Sequence, residues 1–412
     1  MDPIIFLVLV AMSWLVILVL TNNRWVKLQN PEVGLGFAMF RTVKFNRAID
    51  SVASLNRRFW RFFFDIGLLV CLGFVLTAVL LFAINMVKFL QLIAIDFNLI
   101  PSPPPTEEIV TVDFVPAIPG LSISFETLPY FMVAITIAAA LHELAHGVAA
   151  RAEGIKLKST GLVFFLFFFG AFVEPEEKSV TKATVRQRLR VYSAGAFINL
   201  LLVLVFLLLL TPLFFNAILS PGFATHPDGA LIVDVCPAGM DSGCPAEGRI
   251  AVDDVIVRAV YANGTELVVQ NNVDFSVFSA GTEPGERVQL YLLGRAEPLN
   301  LTTVTHPSDP DRGMIGVMAT DYYPPHFDFL PLQLPYWLLR VFFYTLSLSL
   351  VLALLNLLPI PPLDGDKLIA GLVDHFKPEN AGFYKKWIRL GTLVLFLGNL
   401  ILTFAVRGWQ TI

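Results

Sequence analysis

The sequence predicts a polytopic α-helical membrane protein of about six spans, interrupted by an inserted extracytoplasmic β-rich domain. Three observations predict it. Of 412 residues, 56% are hydrophobic and only 15% are charged, with a mean hydropathy of +0.69. A soluble domain is nearer half apolar and a quarter charged. The excess sits in six apolar blocks, at about 4–20, 64–94, 129–150, 191–217, 333–358 and 388–406, each near or above the ~17–20 residues a helix needs to cross the hydrocarbon core. The stretch 218–332 has a different texture, with short apolar runs separated by turn signals.

The first block, Ile4 to Leu20, follows no basic segment. It leads into Thr21-Asn22-Asn23-Arg24, which offers no small-residue cleavage site, so it reads as a retained span. The second is longer than one crossing requires and is expected to tilt or to continue beyond the lipid. Residues 162–173 are very apolar yet too short to span, and Gly161 and Glu174-Pro175 bound them. A re-entrant strand pair or loop fits, provided that protein covers its backbone; an interfacial helix is the alternative. Within 218–332, Ala230–Val235, Asp254–Val260, Val288–Leu293 and Leu299–Val304 read as strands. Asn263-Gly264 and Pro284-Gly285 read as turns.

Loop charge orients the spans. Residues 21–61 carry eight Lys/Arg against two acids, 151–190 carry eight Lys/Arg, and 95–128 carry none against five acids. The positive-inside rule places the two basic loops and 359–387 in the cytoplasm, and 95–128, 218–332 and both termini outside. A net charge of −4 without a basic run argues against a nucleic-acid partner. Three cysteines are too few for a disulfide scaffold or a four-thiolate site. Cys236 and Cys244 lie on the oxidising side and close a short loop; a disulfide and two apolar loop residues both fit.

The chemistry concentrates in Leu141-His142-Glu143-Leu144-Ala145-His146-Gly147. HExxH on a helix puts two imidazoles one turn apart on one face, where both reach one Zn²⁺ and the intervening Glu reaches its water. Ionisable groups inside a span are costly and functional by default. A catalytic zinc takes three protein ligands. His226, His306 and His326 fall in or beside the inserted domain and His375 in a cytoplasmic loop, so Asp364 is the candidate third ligand, with Asp366 its rival. Asp364 follows the inner end of the fifth span, at the depth of His142 and His146. Pro359, Pro361 and Pro362, just before it, cannot continue a helix, and the carbonyls they free can pair with an unwound substrate strand. Asn356 is a candidate substrate-backbone ligand or helix–helix glue; Asn199, in a run of small residues, leans to the second.

These residues resemble the site-2 protease family of intramembrane zinc metalloproteases. The resemblance rests on His142–Gly147, Gly170–Glu177 (GAFVEPEE), Ser193–Asn199 (SAGAFIN) and Asn356–Gly365 (NLLPIPPLDG), over roughly 129–217 and 333–406. It implies that Asp364 is the third ligand to one Zn²⁺ per chain and that Glu143 is the general base. It also implies transmembrane protein substrates, often trimmed beforehand by another protease. It implies a PDZ-like fold for 218–332, although Asp253-Asp254 departs from that fold's usual Gly-Asp step.

The organisation expected is a two-span N-terminal extension (1–128), a zinc-helix half (129–217), the PDZ-like domain (218–332) and an aspartate-ligand half (333–412), in a prokaryotic cell membrane. Spans one and two and the loop 21–61 lie outside the resemblance and receive no role. Another class of membrane zinc protease would take a Glu ligand from a later helix, and none is found in a span. A non-catalytic receptor or chaperone with a structural metal would not need Glu143.

Overall fold

The computed structural model describes residues 3–22, 29–34, 36–101, 109–237, 243–307 and 309–408. The chain divides into two compact units, Met1–Phe206 with Phe343–Ile412, and Leu207–Phe342. The extension 1–128 therefore belongs to the same unit as both halves of the predicted core.

The first unit opens with the apolar helix α1 (Pro3–Asn22), the strands β1 (Gln29–Gly34) and β2 (Phe37–Thr42), helix α2 (Lys44–Leu55) and the 40-residue helix α3 (Arg57–Asp96). It continues with α4 (Leu128–Ala152), β3 (Leu157–Phe165), β4 (Phe168–Pro175), α5 (Glu177–Lys182) and α6 (Val185–Leu209). The apolar stretch 162–173 forms a hairpin, the strand-pair form of the expectation. It does not stand alone: β2 pairs antiparallel with β3 from Phe37↔Phe165 to Thr42↔Thr160, giving a four-stranded sheet in the order β1-β2-β3-β4. The basic loop 21–61, which has no role in the sequence reading, thus supplies two strands and an amphipathic helix to the core. Trp14 of α1 donates from its indole N–H to the Leu166 carbonyl at the hairpin tip, 2.8 Å away. Lys158 and Ser159 each lie 2.6 Å from the Glu174 carboxylate across the sheet and hold it below the ordinary carboxylate range.

Small residues set the helix spacing. Gly67 of α3 sits against the Phe197 ring of α6, and the Cys71 thiol reaches the Ser193 carbonyl. Such contacts let helix backbones approach where lipid offers no hydrophobic drive to associate.

The second unit begins with α7 (Pro212–Leu219). The predicted span 191–217 is therefore two helices. Pro212 lacks a donor and disfavours helix at the residue before it, and Thr211 is extended (ψ 144°). The strands β5 (Ala230–Val235), β6 (Val255–Val260) and β7 (Glu266–Val268), helix α8 (Asn272–Ala280), then β8 (Arg287–Leu292), β9 (Leu299–Thr302), β10 (Val304–His306), β11 (Asp309–Met314) and β12 (Val317–Asp321) follow. Their main sheet has the order β12-β5-β6-β8-β9 and packs with α8 over a core that includes Ile232, Ile256, Phe278 and Leu290. Gly264 and Gly285 take positive φ at the predicted turns (+82° and +81°). Asp253, in the step where Gly is usual, also has positive φ (+74°). Its carboxylate accepts from Gln333 at 3.0 Å. Cys236 and Cys244 form a disulfide.

The chain re-enters the first unit through α9 (Leu334–Asn356), followed by α10 (Asp364–Phe376) and α11 (Ala381–Arg407). Buried Asn85 of α3 donates to Asn399 of α11 at 2.7 Å, a polar clasp between two apolar helices. Among the described residues, five helices, α3, α4, α6, α9 and α11, have the length and apolar composition to cross a membrane. The predicted span 4–20 falls in α1, outside those five.

The sheet yields a test. A Cβ on Gly161 would collide with the Phe40 carbonyl of β2 and lie 2.6 Å from the Phe172 ring. Gly161→Ala is expected to cost about 1–3 kcal/mol and to lower the unfolding midpoint in detergent. An unchanged midpoint would mean that β2 does not sit on β3.

Candidate metal centre

HExxH lies in the C-terminal half of α4, where helical spacing stacks His142 above His146 on one buried face. Asp364 is the first residue of α10 and arrives from a different part of the chain. Gly365 makes that arrival possible, because a Cβ there would strike the Leu357 and Leu358 carbonyls at the end of α9. The three side chains converge. His142 Nε2 and His146 Nε2 are 3.1 Å apart, and Asp364 Oδ2 is 3.2 and 2.9 Å from them. Ligand atoms ~2.0–2.1 Å from a tetrahedral zinc stand roughly 3.3 Å from one another, so the donor set fits such an ion. Asp366 does not join it, since Arg389 holds its carboxylate at 2.5 and 2.8 Å.

Two further features fit a metal at this point. His146 Nδ1 is 2.7 Å from the Val191 carbonyl, so its N–H donates there and the Nε2 lone pair is free. Asn199 places its amide 3.2 Å from His142 Nδ1 and its Oδ1 is buried without a partner. With that oxygen turned toward the ring, Nδ1–H becomes the donor and Nε2 is again left for a metal. Gly195 faces the same point. A Cβ on it would lie 2.5 Å from both Nε2 atoms, so only glycine leaves this space open.

Glu143 points the other way around the helix, toward the sheet. Its Oε2 accepts the backbone N–H of Val173 on β4 at 3.0 Å. It lines a cavity of about 520 Å³ together with His146, Asp364, Val173, Tyr192 and Lys367. Lys367 donates to Asp364 Oδ1 at 3.1 Å. Burial alone would raise the Asp364 carboxyl pKa; the two imidazoles and Lys367 outweigh it and hold the group well below the ordinary carboxylate range.

The structure thus brings together His142, His146 and Asp364, with Glu143 on the adjoining cavity. Asn356 is not among the residues lining that cavity; it is half-buried at the C-terminal end of α9. Asn199, which the sequence reading leans toward helix packing, contacts a candidate ligand instead. Gly195 and Val191 are additions of the structure. The run of small residues around Gly195 shows in the sequence only as a packing signal, and a backbone carbonyl carries no side-chain signal at all.

Comparison with known proteins agrees with this geometry. The description "Peptidase family M50" matches residues 130–398, more than half of the chain. An uncharacterised protein of Methanocaldococcus jannaschii is 28% identical over 275 residues, covering 66% of this chain and 62% of that protein. A protein of Arabidopsis thaliana described as a membrane-bound transcription factor site-2 protease homolog is 30% identical over 141 residues, covering 34% of this chain and 26% of that protein. The matches cover less than two thirds of either relative's length.

The contacts around the two imidazoles generate a test. Gly195→Ala crowds both ring nitrogens, and Asn199→Ala removes the support of one. Each is expected to lower metal affinity about 10–100-fold, read as metal retained by purified protein against a graded chelator. Affinity equal to wild type in both variants would place the metal elsewhere.

Proposed function

The chain belongs to peptidase family M50, a family of membrane metalloproteases, and from that premise we propose that it is a zinc-dependent intramembrane endopeptidase. It hydrolyses peptide bonds within or near the transmembrane helices of other membrane proteins. The observation that carries this reading is the convergence of His142, His146 and Asp364 beside a cavity lined by Glu143, in a unit built from membrane-crossing helices.

His142, His146 and Asp364 would hold one Zn²⁺, which when bound would supply Lewis acidity and bring the pKa of a water toward ~7. The protein's own groups do the rest. Glu143 takes a proton from that water and returns it to the leaving amine. Val173 anchors one of its oxygens and leaves the other for this transfer. A helical substrate hides its amides, so it must be unwound and held extended. In the sheet order β1-β2-β3-β4, β4 has a sheet neighbour on one side only, and its Val173 N–H is directed off the sheet toward Glu143. Pairing of the substrate strand with β4, or with the backbone of 357–363, supplies main-chain affinity without sequence preference. Asn356, which borders that loop, is assigned to the substrate backbone.

The remaining parts follow the same reading. The first apolar helix is a sixth span, in a prokaryotic cell membrane. The β-rich unit is PDZ-like and external, consistent with its Cys236–Cys244 disulfide. It is inserted between α6 and α9, so the chain tethers it to both halves of the core. A bulky substrate ectodomain is excluded, whereas a stub trimmed by another protease enters.

Two experiments test the proposal. Glu143→Gln is expected to keep about one Zn²⁺ per chain, as a three-ligand site should, and to lose 10²–10⁴-fold in cleavage of a reporter helix. Asp364→Ala should lose the metal. Full activity of Glu143→Gln, or undiminished zinc in Asp364→Ala, would reject the role assigned. Replacing 222–328 with a Gly/Ser linker is expected to increase cleavage of substrates with large ectodomains. A folded, zinc-loaded deletion that instead loses activity on trimmed substrates would show that the domain recruits.

A further inference from the structure

The start of α6 carries three arginines at alternate positions, Arg186, Arg188 and Arg190. Two of them face α3 and α4. Arg186 and Arg190 both pair with Asp65, and Arg190 also pairs with Glu153. Residues two apart on a helix point roughly 200° away from each other, so Arg188 faces the opposite side. It is half-buried, has no acidic partner among the described residues, and lines a cavity of about 220 Å³ between α6, α10 and α11.

The other charged groups facing this cavity are Lys367, Arg389, Asp366 and Asp374. Both acids are already engaged. Arg389 grips Asp366 through two nitrogens, and Lys385 holds Asp374 at 2.8 Å. Lys367 spends one of its three donors on Asp364. What remains without an acidic partner among the described residues is the half-buried Arg188 guanidinium; Lys367, exposed and paired with Asp364, has donors to spare beside it. Such a guanidinium calls for an anion. Tyr192 and Lys367 line both this cavity and the one beside Glu143. The two cavities are therefore neighbours, and a polypeptide bound in the catalytic one would have side chains within reach of the second, which favours a group on that polypeptide over a lipid phosphate.

We infer that this cavity is a specificity subsite for a carboxylate side chain of the polypeptide being cut, an Asp or Glu on the α10–α11 side of the scissile bond. Arg188 is its principal ligand and Lys367 its second. The inference rests on the endopeptidase reading above.

The test uses zinc-loaded, full-length Glu143→Gln protein and a transmembrane reporter helix carrying Asp or Lys at each flanking position in turn. At one position on the α10–α11 side, the Asp version is expected to bind about tenfold more tightly than the Lys version. Adding Arg188→Glu should reverse that order, and Arg188→Gln should abolish it. Arg186 and Arg190 keep the pairs to α3 and α4, so Arg188→Gln serves as the folded control. The same substitutions in protein with Glu143 intact should move kcat/KM in the same sense. Equal binding of all Asp and Lys versions, or a preference untouched by Arg188→Glu, would overturn the subsite. So would a loss confined to binding of anionic phospholipid vesicles, which would assign Arg188 to lipid. Because binding is read without turnover, a charge preference in the absence of any cleavage by wild type would reject the endopeptidase reading separately.

Discussion

The structure turns on one constraint: two imidazoles and a carboxylate must stand within 3.2 Å of one another in the apolar interior of a membrane unit. Isolated polar groups there cost several kcal/mol each. The cost is met by mutual contact and by an outer ring of partners. Val191 takes one ring N–H, Asn199 contacts the other ring, and Lys367 takes the outer oxygen of Asp364. The backbone geometry follows from the same demand. Gly195 removes the only side chain that would fill the point of convergence, and Gly365 lets α10 begin hard against the end of α9. Helices α4, α6 and α10 are thus placed relative to one another by the polar centre and not merely by apolar packing.

A second constraint concerns backbone. Strand groups at membrane depth must find partners, since lipid supplies none. The hairpin β3–β4 would expose two edges if it were isolated. β2 covers the β3 edge through an unbroken register, and the β4 edge turns toward α4, where Glu143 accepts the Val173 N–H. Glu143 and the β4 edge are consequently joined; under the proposed function this makes the carboxylate and the sheet edge one device. On that proposal, strand addition and proton transfer would be coupled through this single hydrogen bond.

What the sequence revealed follows from how local each signal is. His142, Glu143 and His146 are legible because helical periodicity alone brings them to one turn. Asp364 is legible at long range because counting spans puts it at the same depth. The roles of Asn199 and Gly195 were not, since a small residue or an amide in a span serves packing and metal support alike, and only the contact made decides. The strand run 37–42 was hidden in a basic loop. Its six residues, Phe37–Thr42, show no strict polar–apolar alternation to mark it. The break at Thr211-Pro212 was present in the letters, but continuous hydropathy on both sides masks a backbone effect. Asp253 shows the converse: a departure from the usual glycine is tolerated at positive φ because Asp is among the few side chains that adopt it, and Gln333 engages its carboxylate.

The basic residues of 151–190 serve twice, and a charge count sees only the first use. As a sum they orient the spans. As individuals they tie the extension to the core: Arg190, with a side chain only 11% exposed, bridges Asp65 of α3 and Glu153 at the end of α4. Removing one partner of such a buried pair leaves the other uncompensated, at about 3–5 kcal/mol. Asp65 lies outside the 130–398 match to the peptidase family, as do α2 and both strands of the first hairpin. The matched region therefore cannot satisfy its own charges or its own sheet edge. The residues that complete it come from the segment outside that match, so the folded unit extends beyond the part the family description covers.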